Sequence, residues 1–170
     1  MTIVARSDHY TMADLDNTPD DGQRYEVING TLVVTPPPFM PHNERSQAIG
    51  VALLQAAPPE FKVVLTGTAG VEIGDDLLIP DAVVYRSADY ERNLPVEAVA
   101  LVVEVTSRSN RSNDTVLKLD RYARAGIPHY WIVDSDAITV YELSDGVYRE
   151  VERGAAIARD QPFPVRCGVG

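Results

Sequence analysis

Two carboxylates and a lysine are the residues of this chain best placed to do chemistry. Asp81 lies in LLIPDAVVY at the start of a short β-type run, Glu104 closes the apolar run of AVALVVEVTS, and Lys118 follows in a helical pattern. An apolar stretch such as Ala98–Val103, bounded by polar residues, reads as a strand buried on both faces. A carboxylate at the end of such a strand is costly to bury unless it is paired or holds a metal. Two acids on neighbouring strand ends with a lysine nearby make a set that suits a Mg²⁺- or Mn²⁺-dependent phosphodiesterase. The acids hold the ion, and the lysine positions the attacking water or stabilises developing charge. Alternation puts Glu104 and Thr106 on one strand face, with no lysine there, and a following helix folded back along the strand would project Lys118 toward the carboxylates. There, Asp114, Lys118, Arg121 and Ala125 share a polar-edged face, and Val116, Leu119 and Ala123 are expected to face the core. From spacing alone, Lys118 reads more readily as an exposed lysine paired with Asp114.

Other candidates carry weaker signals. Glu26, between Tyr25 and Val27, can supply a third oxygen ligand, hold Lys118, or face outward from its strand. His42, just after Pro41, can act as a general base, donate to a phosphate, or simply lie near a helix start. Tyr122 and Trp131 read as core, and Asp134 as a solvated acid at a strand end.

The elements that must position these residues are legible in outline. RYEVINGTLVV reads as a hairpin, with Asn29-Gly30 favouring a type I′ turn because both residues need positive φ. The run Thr35–Pro41 reads as irregular because each proline removes a backbone donor. An amphipathic helix is expected over His42–Ala57, ended by Pro58-Pro59. Strands follow at FKVVL, AGVEI and DAVVY, with Gly74-Asp75-Asp76 as a turn, and then at Val99–Val105. A second helix spans Asp114–Ala125, capped by Ser112 or Asn113 and stopped by Gly126. HYWIVD, AITVYEL and VYREVE complete the chain as strands. This order predicts an α/β (α+β) fold in which a mixed sheet is flanked by helices and preceded by a β-hairpin.

With 170 residues, one domain spanning 1–170 is expected, residues 1–22 forming a loosely ordered N-terminal segment. Cys167 is the only cysteine, which excludes a disulfide within one chain and fits a reducing cytoplasm. No apolar run reaches the length of a membrane span. A net charge of −10 opposes general nucleic-acid binding. Yet from Glu104 to Pro128 the balance reverses, Arg108, Arg111, Lys118, Arg121 and Arg124 facing Glu104, Asp114 and Asp120. That segment reads either as a solvated helix face or as a phosphate track.

Taken together, YEVINGTLVVTPPP, His42, IPDAVVY, LVVEVTSRS and DTVLKLDRYARAGIPHYWIVD resemble the Uma-two family of bacterial restriction endonucleases, a branch of the PD-(D/E)xK superfamily. The resemblance covers about Tyr25 to Val151 and departs from the family pattern at Ala98–Ala100 and at Ser107-Arg108. It implies a restriction-endonuclease-like core with Asp81 and Glu104 as metal ligands and Lys118, carried on the helix, as the catalytic lysine. The expected function is metal-dependent endonuclease cleavage of DNA, with the Val105 carbonyl as a further Mg²⁺ or Mn²⁺ ligand. A homodimer is expected because cutting both strands of a duplex needs two sites. The alternative is a non-catalytic dimeric interaction module that retains the fold.

Overall fold

The computed structural model describes residues 2–4, 9–65, 67–106 and 114–169. In chain order its strands are β1 (Thr2–Val4), β2 (Arg24–Ile28), β3 (Thr31–Thr35), β4 (Phe61–Leu65), β5 (Val71–Ile73), β6 (Asp76–Leu78) and β7 (Ala82–Arg86). They continue as β8 (Leu94–Pro95), β9 (Val99–Val105), β10 (His129–Val133), β11 (Ile138–Ser144), β12 (Val147–Gly154), β13 (Ala156–Arg159) and β14 (Val165–Gly168). The helices are α1 (Met40–Ala56) and α2 (Asp114–Arg124).

Strand β9 is buried along its whole length, as the unbroken apolar run Val99–Val103 requires, and carries Glu104 inward with it. It lies inside a mixed sheet of order β12-β11-β10-β9-β7-β4, in which β9 and β10 run parallel and the other neighbours antiparallel. Parallel neighbours need a long crossover, and the chain between β9 and β10 carries α2. Alternation gives this sheet two apolar faces, and each is covered. On one face Leu101, Val103, Val105 and Trp131 pack with Ile49 and Leu53 of α1 and with Ile157, Phe163 and Val165 of the β13–β14 hairpin region. On the other, Val102, Tyr130 and Ile132 meet Tyr122, Ala123 and Ile127. The same cluster takes in Ile28, Val33, Val71 and Leu78 from a second sheet of order β1-β3-β2-β6-β5-β8.

Local chemistry sets several boundaries. Asn29 and Gly30 adopt φ of 51° and 72°, the backbone of a type I′ turn between β2 and β3. Helix α1 begins at Met40, inside the stretch expected to be irregular, because Pro41 falls in the first turn, where no N–H is needed. The expected turn at Gly74-Asp75-Asp76 is shorter, since Asp76 already opens β6. Strands β6, β8, β13 and β14 escape a reading by pattern because they are too short, or too close to proline, to show a period. Within the segment expected to be loosely ordered, Met12–Asn17 forms a 3₁₀ helix. Hydrogen bonds from the Tyr10 N–H to the Gly30 carbonyl and from the Met12 N–H to the Asp75 carbonyl tie that segment to the second sheet. The expected caps at Ser112 and Asn113 lie outside the described residues. Among the described residues, no helix is long and apolar enough to cross a membrane.

Candidate active site

Asp81 precedes β7 directly. The antiparallel register of β7 and β9 pairs Ala82 with Val103, so one further step sets Asp81 opposite Glu104. Residues opposed in this way project from the same sheet face. Asp81 is 4% exposed and densely partnered. Its Oδ1 accepts from Arg24 Nη1 at 3.1 Å, and its Oδ2 accepts from the Val105 N–H at 2.8 Å and lies 3.2 Å from His42 Nε2. Burial pushes this carboxyl up, but His42, Arg24 and the Val105 amide outweigh it and hold it down at about 2.

Glu104 accepts from Lys118 Nζ at 3.0 Å and from the Tyr122 hydroxyl at 3.1 Å, both on Oε1. Burial dominates here and, with Asp81 and Glu26 adding repulsion against the pull of Lys118, raises this carboxyl to about 7. Lys118 Nζ also lies 2.8 Å from Glu26 Oε1, which accepts from the Ile79 N–H at 2.7 Å. Burial opposes charge on Lys118, yet Glu104 and Glu26 more than offset it and push its pKa up. Lys118 therefore stays an ammonium, with two carboxylates competing for one cation.

The lysine does not occupy the polar edge expected from helix spacing. It is 4% exposed, whereas Val116, expected to face the core, is 64% exposed. The inward stripe of α2 includes Lys118, Tyr122 and Ala123 because the buried acids recruit the ammonium to that side. Tyr122 is fully buried, as expected of a core residue, but its hydroxyl also binds Glu104. Glu26 faces inward and holds Lys118. Arg121 turns instead to Asp76 of β6. Asp134, expected to be solvated, is instead buried, accepting the Asp136 and Ala137 N–H groups in the β10–β11 turn, and Trp131 is buried as expected.

Arg24 is the site residue that the sequence reading missed. Its signal was its spacing from Glu26, which puts both on one strand face. Beside Asp81 opens a cavity of about 650 Å³ lined by Arg24, His42, Ser46 and the Pro36–Pro38 wall. Two carboxylates and the Val105 carbonyl offer oxygen only, a donor set that suits Mg²⁺ or Mn²⁺. Among the described residues, no three His, Cys, Asp or Glu side chains converge into a ready-made metal cage. Water and substrate oxygens would have to complete the coordination.

A family model described as "Putative restriction endonuclease" matches residues 11–166. The chain belongs to this Uma-two family. A crystal structure of a "putative nuclease belonging to DUF820" from Anabaena variabilis superimposes with a TM-score of 0.68. It is 15% identical, and the match covers 89% of each chain. That likeness shows that this Uma-two member has the nuclease-type mixed α/β fold. No curated protein matches the chain.

Proposed function

We propose that the protein is a divalent-metal-dependent endonuclease that hydrolyses phosphodiester bonds in DNA. Asp81, Glu104 and the Val105 carbonyl would hold Mg²⁺ or Mn²⁺, which when bound neutralises phosphate charge and makes water more acidic. Lys118, charged and anchored by Glu26, orients Glu104 and would orient the attacking water. Tyr122 fixes the Glu104 carboxylate, and His42 and the Val105 amide fix that of Asp81. The observation that carries this reading is the Lys118–Glu104 contact at 3.0 Å. It delivers a helix-borne lysine to an acid that the β7–β9 register sets opposite Asp81. Family membership supports the same reaction class.

Metal binding to the native state alone raises stability by linkage. Millimolar Mn²⁺ is therefore expected to raise the melting temperature of the wild type and not that of Asp81→Asn, and plasmid DNA is expected to be cut only by the wild type. An equal metal-induced shift in both proteins removes Asp81 from the site. A symmetric dimer would bring two sites to a duplex, and light scattering reads that directly.

One observation favours the non-catalytic module: Asp81 already has an arginine, a histidine and an amide as partners. Absence of both cleavage and any metal-induced shift would select that reading.

A further inference from the structure

Arg24 opens β2 two residues before Glu26, and its side chain is 22% exposed. Its Nη1 donates to Asp81 Oδ1 at 3.1 Å and to the Ile79 carbonyl at 3.2 Å. Its Nε stands 4.0 Å from Glu26 Oε2, beyond hydrogen-bond reach. A guanidinium offers five N–H donors in a rigid fork. Among the described residues, the Nε and Nη2 donors reach no acceptor, and Arg24 lines the cavity.

The loop opposite is shaped to this guanidinium. Gly67 has φ of +61°, and a Cβ there would lie 2.8 Å from Arg24 Nη1. The Gly67 N–H in turn binds the Asp81 carbonyl at 3.3 Å. A side chain at position 67 would therefore displace the arginine from the acid it serves.

Two other described cations near the site, Lys118 and Arg92, are worse placed to meet an incoming anion. Lys118 is 5% exposed at its side chain, is committed to Glu26 and Glu104, and is not part of the cavity lining. Arg92 lines the cavity but is paired with Asp16 on an exposed rim. In a protein of net charge −10, a polyanion needs a local cation, and a planar fork fits a phosphate with two parallel hydrogen bonds.

We propose that Arg24 is a catalytic residue that seats the scissile phosphodiester of a nucleic-acid strand entering this cavity, while Nη1 stays on Asp81. This rests on the endonuclease reading and adds the group that touches the substrate. It also divides the labour, with Arg24 on the phosphate and Lys118 on the acid and water.

The test is binding of short fluorescein-labelled DNA, single-stranded and duplex, followed by anisotropy in EDTA so that no cleavage intervenes. Arg24→Gln is expected to weaken affinity roughly tenfold and to lower the salt dependence by about one phosphate contact, whatever the base sequence. Arg24→Lys is expected to keep part of the affinity. Asp81→Asn removes the acid that competes for the guanidinium, so it should bind more tightly than wild type. The double variant Asp81→Asn/Arg24→Gln removes both members of the Arg24–Asp81 pair and should lose that gain. If the double variant binds as tightly as Asp81→Asn, Arg24 only neutralises Asp81 and the proposal is overturned. Absence of binding by both wild type and Asp81→Asn at low salt overturns it as well. Arg24-dependent binding without any Mn²⁺-dependent cleavage would keep the phosphate seat and remove the endonuclease reading. Cleavage with Arg24-independent binding would do the reverse.

Discussion

Replacing Lys118 with methionine keeps the length and apolar stem of the side chain but removes its charge. The lysine is 4% exposed and lies 2.8 Å from Glu26 and 3.0 Å from Glu104, both buried. Removing one partner of a buried ion pair leaves an uncompensated charge and costs about 3–5 kcal/mol. A lysine at a polar helix edge would cost roughly 0.5 kcal/mol or less. For a chain of this size, 3–5 kcal/mol corresponds to a fall of roughly 6–20 °C in melting temperature. The loss must also depend on pH. Glu104 already titrates at about 7 in the folded protein, above its ordinary 4.5. A carboxyl with a raised folded pKa contributes stability that is present below the unfolded pKa and lost as pH rises through the folded one. Without the ammonium, Glu104 holds its proton still more tightly. The deficit of Lys118→Met should therefore be small near pH 5 and grow toward about pH 8. Glu104→Gln in the Lys118→Met background should restore part of it at the higher pH. Urea unfolding at both pH values measures all of this. A deficit under about 1 kcal/mol at the higher pH, or one of equal size at both, would show that the buried charges are not coupled as described.

Tyr122→Phe keeps the ring against Tyr130, 5.5 Å between centroids, but deletes the hydroxyl bound to Glu104. A loss of about 1.5–3 kcal/mol is expected in urea unfolding, and an unchanged midpoint would deny that bond any weight. Asp76 joins two turn amides, those of Asn29 and Gly30, to Arg121 of α2, so Asp76→Ala is expected to cost about 3–5 kcal/mol by thermal melting. Loss of only a few tenths would mean that the hairpin turn and α2 are held by packing alone. Asp81, depressed to about 2 from 3.8, contributes stability that is present above the unfolded value and lost as pH falls toward the folded one. Acid unfolding of the wild type should therefore be steeper between about pH 4 and 2 than that of Asp81→Asn, and coincident curves would contradict the assigned partners.

Sequence alone was enough for the elements whose signals are local. The Asn29-Gly30 turn needs two positive φ values, and β9 needs burial on both faces because nothing in Val99–Val103 is polar. Asp81 and Glu104 were legible for a related reason, being acids abutting apolar strands. Tertiary structure alone decided which side of α2 is buried. Helical spacing treated Lys118 as polar and Val116 as core, but two buried carboxylates from β2 and β9 reverse that preference, and no period within α2 records their presence. The same holds for Arg24, which joins Asp81 across 57 residues of chain, and for Tyr122, whose hydroxyl found its acceptor on another element. A charge can be read from its residue type, but its partner is a property of chain topology, because burial pairs groups according to which elements are packed together.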